Sequence, residues 1–560
     1  QSTWGQKMAI STSKKKPSGP KKLQTISHRS SCSLCCDVIS RIPTIVFAFF
    51  LIFLWSSSST IITSNIVHLC VSSRKLTSLY CLSASTRPNV EIPLTNETFP
   101  HLQKNLTDPQ PDSPTLSSEL YSLGLKAMND VVHAAKRAVI STAGGDYDLD
   151  QAKQTSQMQM GIHRRWAAKE KHAGCEKGGI YVYDLPAKYN RDLIAQCGEM
   201  MQWMDFCHYF QNDALGDRLP ELGIRWYKTH QYALEPIFHA RILNHPCRVY
   251  DENKAKIFYV PYYGGLDVLR WHFRNVSHDV KDSLGLELIS LLKSKESWKR
   301  NSGKDHVFVL GKISWDFRRY TDSSWGTRFL LLEEMRNPLR LLIERQPWEI
   351  NDIGIPHPTH FHPHDDVDIV EWQFKLMQTS RRNLVSFAGA ARPEQEKSIR
   401  SSLISQCNSA GGNWCKFFDC SNRRCDQPNA VVQLFMESEF CLQPPGDSPT
   451  RKSVFDSLIA GCIPVMFDPF TAYYQYAWHL PEGHGNYSMF IEQEDVRKGS
   501  LNVVEVLKKV PSKEKETMRK FIVYEVLPGL LYGDKDSHFE KFQDAFTITV
   551  NNLLQRASTL

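Results

Sequence analysis

The sequence predicts an α/β protein built of two doubly wound halves that face one another across a cleft, and three features of its texture predict it. From residue 178 onward short apolar runs alternate with helix-length stretches, the pattern of a parallel sheet covered by helices. A second set of the same kind begins at 383. Between them the segment 345–382, with its Pro and His clusters, reads as the join.

In the first half "IYVYDLP" (180–186), "KIFYVPYYGG" (256–265) and "HVFVLG" (306–311) are rich in β-branched and aromatic residues and end in turns, so they read as buried strands. "HQYALEPIFHARIL" (230–243) and "LGLELISLLKS" (284–294) place apolar residues at helical spacing between them. In the second half the order is strand "NLVSFAGAARP" (383–393), helix "EQEKSIRSSLISQ" (394–406), strand "KFFD" (416–419) and helix "AVVQLFMESEF" (430–440). Ligands of such sheets bind beyond the carboxyl ends of the strands, which makes the cleft the expected site.

The chain has 560 residues, 41% of them apolar and 23% charged, enough to bury more than one core. Its formal charge of +7 is local: Lys7, Lys14, Lys15, Lys16, Lys21, Lys22, Arg29 and Arg41 face only Asp37, and the remainder is nearly balanced, which argues against a nucleic-acid partner. The stretch "IPTIVFAFFLIFLWSSSSTII" that follows (42–62) carries no formal charge and matches the roughly 20 residues that cross a bilayer. With the basic side cytosolic it reads as a retained signal anchor rather than a cleaved signal peptide. Residues 85–118, rich in Ser, Thr, Pro and Asn, cannot pack a core and read as a stem; 118–140 has helical spacing, and a polar linker runs to about 173. The expected organisation is a cytosolic tail (1–41), a membrane anchor (42–62), a lumenal stem (63–173), an acceptor-side half (174–375) and a donor-side half (376–560).

The cysteines agree with a lumenal, oxidising setting. Cys175, Cys197, Cys207, Cys247, Cys407, Cys415, Cys420, Cys425, Cys441 and Cys462 all lie in the C-terminal part, and the cluster 407–425 lacks the short CxxC knuckle of a zinc site, so disulfides are the better reading. Asn96, Asn105, Asn275 and Asn486 each begin a glycosylation triplet. The "HPTHFHPHDD" stretch (357–366) offers metal ligands, but its prolines and irregular spacing favour a linker.

The most informative loop is "CLQPPGDSPTRKSVFDSLIAGCIPVMF" (441–467). After a strand, Pro444, Pro445 and Gly446 break regular structure, Asp447 or Ser448 is placed to cap the next helix, and Pro449 suits its first turn. The start of such a helix favours an anion. Thr450, Arg451, Lys452 and Ser453 add hydroxyl and cationic donors, and Asp456 lies farther along, where a carboxylate can accept bonds from a ribose diol. An ordinary capped helix with solvated charges fits the same spacing.

That loop, with "KTHQYALEPIFHARIL", "FYVPYYGGLDVLRW", "GKDHVFVLGKISWDFRR" and "NLVSFAGAARP", resembles the plant exostosin-type glycosyltransferases of family 47, specifically the xyloglucan galactosyltransferase group, over 178–554. The resemblance implies a Golgi type II membrane protein with a GT-B fold that moves galactose from UDP-galactose, with inversion, onto xylosyl side chains of xyloglucan in cell-wall biosynthesis. It implies a donor site in the C-terminal half at Gly446, Ser448, Arg451, Lys452 and Asp456, although many exostosins have Glu where this chain has Asp456. Association with other Golgi glycosyltransferases is compatible with it.

Inverting transfer needs a base for the acceptor hydroxyl and stabilisation of the leaving diphosphate, which positive charge and a helix start supply without metal, so no cofactor is expected. Arg392, in the loop from Gly389 to Pro393, joins Arg451 and Lys452 as a phosphate candidate. His230, Asp267 and Asp316 are the candidate bases; the alternatives are a cap or packed ring, a helix cap, and a partner for Arg318 or Arg319. Tyr262, Tyr263, Trp271, Trp315, Tyr473, Tyr474, Tyr476 and Trp478 are candidates to stack on a glycan, with core packing as the alternative for each. Competing functions are a UDP-galacturonate-dependent xyloglucan transferase, a mannan galactosyltransferase, a non-catalytic Golgi glycan-binding or scaffold protein, and a hydrolase with paired carboxylates.

Overall fold

The computed structural model describes residues 58–63, 66–72, 79–85, 149–168, 175–201, 204–320, 323–391, 398–412 and 414–559. The expected basic tail, most of the expected anchor, Asn96, Asn105, the helical stretch 118–140 and Arg392 lie outside them. Among the described residues no helix is long and apolar enough to cross a membrane.

The chain divides into two units, 1–110 and 111–560. In the first, β1 (Ser58–Thr63), β2 (Ile66–Ser72) and β3 (Leu79–Ser85) form an antiparallel meander. Residues 58–62, counted above in the membrane span, therefore sit in β1.

The second unit holds two parallel sheets. The first orders its strands β5-β4-β6-β7-β8-β9, where β4 is Gly179–Val182, β5 Arg248–Val249, β6 Ala255–Val260, β7 His306–Ile313, β8 Leu339–Glu344 and β9 Asp352–Gly354. The second orders β11-β10-β12-β13-β14, with β10 Asn383–Gly389, β11 Cys415–Asp419, β12 Ser438–Gln443, β13 Ile463–Met466 and β14 Met489–Phe490. In each sheet the chain reverses its direction of travel after the second strand, which opens a crevice beyond β4 and β6 and another beyond β10 and β12.

Strand alternation explains how both faces of the first sheet are covered. Ile257, Tyr259, Val307, Val309, Leu341 and Ile343 point to one core, while Phe258, Val260, Phe308, Leu310 and Leu342 point to the other. The first core receives Met160 from helix α1 (Leu149–Arg165) and Ile237 and Phe238 from α2 (Leu234–Leu243). The second is closed by Leu266 and Leu269 of α3 (Gly264–Leu269) and by Leu284, Leu288 and Leu292 of α4 (His278–Ser294), a stripe at helical spacing. Each large side chain so buried contributes about 1.5–3 kcal/mol.

The second sheet is built likewise. The helix α5 (Asp366–Gln378) inserts Ile369, Trp372 and Leu376 into one core with Val432 and Phe435 of α7 (Pro428–Met436); Leu403 and Cys407 of α6 (Ile399–Ala410) and Val454 and Leu458 of α8 (Lys452–Ile459) enter the other. The segment 345–382 is thus more than a join: Asp365 accepts from the amides of Val367 and Asp368 and starts α5. The polar stretch before 173 likewise contains α1, whose amphipathic pattern was masked by its glutamines. The closing helix α9 (Ala545–Ala557) crosses back and buries Phe546, Val550 and Leu554 against the first sheet.

Disulfides join Cys175 to Cys247, Cys197 to Cys207, Cys407 to Cys415, Cys420 to Cys425 and Cys441 to Cys462, so the cluster 407–425 is two bridges. Asn275 and Asn486 are both exposed.

The halves are joined at the carboxyl end of β8. The Arg345 amide donates to Gln475 Oε1 (2.8 Å), Gln475 Nε2 donates back to the Arg345 carbonyl (3.3 Å), and Tyr476 Oη donates to the Ile343 carbonyl (2.7 Å). Helix α1 braces the same join: Gln159 accepts from the Arg345 guanidinium (2.5 Å), and Arg164 donates to the Ala477 carbonyl (3.3 Å). A Cβ at Gly354 would lie 2.3 Å from the Gln475 carbonyl oxygen, closer than real contacts allow. Gly354→Ala is therefore expected to destabilise the protein by about 1–3 kcal/mol, the usual cost of overpacking. A thermal midpoint unchanged from wild type would show that the join yields freely.

Candidate active site

The cleft between the halves encloses about 440 Å³, within the range of about 300–1,000 Å³ typical of ligand sites. Its walls come from strand ends, as the topology requires. The first half supplies Gln231, Tyr232, Lys312, Trp315, Asp316 and Trp325; the second supplies Gly389 from β10, Arg400 from α6, and Gly446, Ser448, Thr450, Arg451, Lys452 and Ser453 from the loop into α8.

On the second wall the loop after β12 does not fold as the spacing suggests. Helix α8 begins at Lys452, with Arg451 rather than Asp447 or Ser448 at its cap position, and no side chain caps it. The reason lies in the other half: Glu344, buried at the end of β8, accepts from the Thr450 amide (2.9 Å) and hydroxyl (2.5 Å). That pair holds the chain out of the helix at Thr450, Arg451 after it is extended, and the helix is delayed. Burial raises the Glu344 pKa, with the Thr450 and Ser448 bonds opposing the shift.

The delayed start leaves the first-turn amides of α8 without a side-chain acceptor and brings two guanidinium groups together over Gly446. A Cβ at Gly446 would sit 3.0 Å from an Arg400 nitrogen and 3.2 Å from an Arg451 nitrogen. Arg400 Nε donates to the Pro445 carbonyl (3.2 Å) and Arg451 Nε to Ser453 Oγ (3.2 Å), which in turn donates to Gln443 Oε1 (2.6 Å). Two guanidinium forks and a helix start around a glycine form an anion cradle. Arg400 has no sequence signature beyond its place in the first turn of the helix after β10.

Lys452 and Asp456 are placed differently from expectation. Lys452 Nζ donates to both Asp456 oxygens (2.7 and 2.9 Å) and to His360 Nε2 (2.8 Å). Asp456 is buried one turn inside α8 and does not line the cleft, so in this arrangement it holds Lys452 rather than facing a ribose. Burial lowers the Lys452 pKa in spite of Asp456.

On the first wall Asp316 is the one candidate base among the three that lines the cleft. Its carboxylate accepts from the Trp325 indole (2.7 Å) and pairs with Lys312 (3.1 Å). The ladder between β7 and β8 shifts register between Leu310 and Ile313, and this irregularity releases Lys312 into the cleft wall. Burial opposes the Lys312 ammonium, but Asp316 and Tyr232 outweigh it and raise its pKa. Trp315 and Asp316 are anchored from both sides by Asp352, which accepts from Ser314 (3.1 Å) and Arg318 (3.2 Å) and from Arg340 (2.6 Å). Burial alone would raise the Asp352 pKa; the two guanidinium groups overcome it and bring it to about 2.

The other two candidates are structural. Asp267 is buried against Arg270 (2.5 Å) and the Tyr262 hydroxyl (2.5 Å), in the core away from the cleft. His230 caps the turn before α2, accepting from the Tyr232 amide at Nδ1 (3.2 Å), and burial and the nearby lysines bring its pKa to about 3. A ring with its lone pair committed to an amide and its proton on the other nitrogen is a poor base. Of the aromatic candidates Trp315 lines the cleft, joined by Trp325 and Tyr232; Tyr262, Tyr263, Tyr473, Tyr476 and Trp478 are core. Three of the linker histidines take separate partners: besides His360, His362 meets Thr229 (2.8 Å) and His364 meets Asp534 (2.9 Å).

A model of the exostosin GT47 domain matches residues 174–510. Three Arabidopsis thaliana proteins are similar over long stretches. The chain is 45% identical to "Xyloglucan-specific galacturonosyltransferase 1", covering 97% of this chain and 94% of that one. It is 49% identical to "Probable xyloglucan galactosyltransferase GT20", covering 94% and 96%. It is 40% identical to "Xyloglucan galactosyltransferase MUR3", covering 68% and 62%.

The cradle predicts the outcome of two substitutions. Arg451→Ala and Arg400→Ala should each weaken UDP binding, measured by calorimetry on folded variants, by about 2–4 kcal/mol for a charged donor lost from a partly dry site. Wild-type affinity in both variants would remove the diphosphate from this loop.

Proposed function

The chain belongs to the exostosin GT47 family and is a glycosyltransferase; on that premise we propose that it moves galactose from UDP-galactose to xylosyl side chains of xyloglucan with inversion, its two halves forming a GT-B pair. The observation that carries this reading is the convergence of Arg400 and Arg451 over Gly446 at the open start of α8, across the cleft from Asp316. The leaving diphosphate then lies against the guanidinium groups and the helix amides, which stabilise charge as the sugar–oxygen bond breaks. The acceptor hydroxyl enters from the first wall and gives its proton to Asp316. Trp325 and Lys312 occupy two of roughly four lone-pair positions of that carboxylate, leaving capacity for the hydroxyl. Trp315 and Trp325 offer apolar faces for sugar rings.

The charge the leaving group needs is available from Arg400, Arg451 and Lys452, so transfer is expected without a divalent ion. The apolar span 42–62 after a basic tail supports a Golgi membrane protein with the transferase unit in the lumen. A second reading, transfer of galacturonate to the same polymer, is favoured by the name of the relative that matches 97% of the chain.

Incubating the purified protein with a panel of UDP-sugars and xyloglucan or mannan oligosaccharides, followed by linkage analysis, tests the assignment. The expected product is β-linked galactose on xylose, formed equally in chelator. Product only from UDP-galacturonate would select the second reading, and none from any donor would sink both. Asp316→Asn should lower kcat by about 10²–10⁴ with donor KM little changed.

A further inference from the structure

Lys452 stands at the cleft wall among four imidazoles and a carboxylate. Asp456 faces it from its own helix, His230 from the turn before α2, and His357, His360 and His362 from the linker into α5. One of these rings touches it: Nζ lies 2.8 Å from His360 Nε2. An ammonium has no lone pair, so Nε2 must be the acceptor and the ring proton must sit on Nδ1. There the Tyr227 carbonyl lies at 3.1 Å and receives it, although the Thr229 amide approaches the same nitrogen at 3.2 Å. The tautomer is thus set by the ammonium, and the ring is tied through Tyr227 to the first half of the protein.

We propose that His360 is a positioning residue of the donor site, accepting from Lys452 so that the ammonium is held between ring and Asp456 at the cleft wall, where its positive charge faces the leaving diphosphate. The inference rests on the donor-site reading above. Two acceptors on different elements fix a flexible four-carbon side chain where one would leave it free to swing. The ring serves only while neutral, and burial together with the Lys452 charge keeps it so, well below the usual imidazole range; His230 and His357 are brought to about 3 and His362 to about 4 by the same causes, burial first. No second cation therefore forms beside Lys452 in neutral or mildly acidic solution. The sensitive direction is alkaline, where the ammonium itself is lost.

The test compares His360→Leu, which removes the acceptor, with His360→Gln, whose amide oxygen replaces it, and with Lys452→Ala, all in the full chain with thermal midpoints recorded. The leucine variant should raise donor KM by about tenfold, as for a lost bond to a charged group, with a smaller change in kcat. It should also move the alkaline limb of kcat/KM for donor to lower pH, because the protonated form of Lys452 loses an acceptor. The glutamine variant should return both to within about threefold of wild type. If both variants share one KM and one alkaline limb, whether at the wild-type values or shifted together as the thermal midpoint falls, the ring is packing only and the proposal falls. If Lys452→Ala weakens UDP binding while the leucine variant does not, the positioning role alone is overturned. If Lys452→Ala leaves UDP binding and donor KM at wild type, the donor-site reading fails and takes this inference with it.

Discussion

The contact on which the rest of the site depends is the pair of bonds from Thr450 to Glu344. A carboxylate at the end of a strand in one half captures an amide and a hydroxyl in the other, and three consequences follow. The loop after β12 stays out of the helix, α8 starts at Lys452, and Arg451 falls at the cap position beside Arg400. Had Asp447 or Ser448 capped the helix, the same residues would have entered it one turn earlier and turned by roughly 100° per residue away from their present directions. Glu344 is followed directly by Arg345, which ties the same strand end to Gln475, so the loop into α8 and the interface share one support. Removing one partner from such a buried bond leaves the other unsatisfied, at about 1–3 kcal/mol or more when charged.

The first wall has a support of its own. Asp352 lies in the strand next to β8 and gathers Ser314, Arg318 and Arg340, which fixes the short turn carrying Trp315 and Asp316. Gly354, two residues on, meets the Gln475 backbone. Both walls are thereby referred to β8 and β9, and the spacing between the arginine pair and Asp316 is set by the sheet rather than by surface loops.

Much of the fold was legible because parallel strands buried on both faces are near-continuous apolar runs, as in "KIFYVPYYGG" and "HVFVLG", and because the loop 441–467 carries its Pro, Gly and basic residues in one place. What escaped has a common character. Helix α1, β8 and α9 are specified by long-range packing: the α1 sequence carries Gln151, Gln154, Gln157 and Gln159, and its burial depends on Arg345 and Trp478 far along the chain. Asp267 and Asp456 present the right chemistry in sequence, yet Arg270 three residues on and Lys452 four residues back consume it. That i,i+3 and i,i+4 spacing is visible in the sequence, but it does not by itself separate a paired carboxylate from a reactive one, since Asp316 also stands four residues after its partner Lys312; only its place in the cleft wall sets it apart. Arg400 and Glu344 gave no such signal, since their partners lie in another loop or the other half.

Charge in the cleft is arranged so that the protein is stable while the site is empty. Four cations in one partly dry cavity would repel each other and each would lose hydration worth several kcal/mol. The structure avoids this by giving each ammonium its own carboxylate, Lys312 with Asp316 and Lys452 with Asp456, and by keeping the surrounding imidazoles neutral. The guanidinium groups, less strongly hydrated and fixed in direction by Pro445 and Ser453, are the ones brought together at Gly446. An anion entering there meets donors already oriented, so little of the binding energy is spent on rearrangement. On the opposite wall the same economy leaves Asp316 with partners that hold it in place and a lone pair still open. Pairing that keeps the cleft stable thus also fixes the groups that face it: the two guanidinium forks and Lys452, with Asp426 and Asp447 beside them, on one side, and Asp316 on the other.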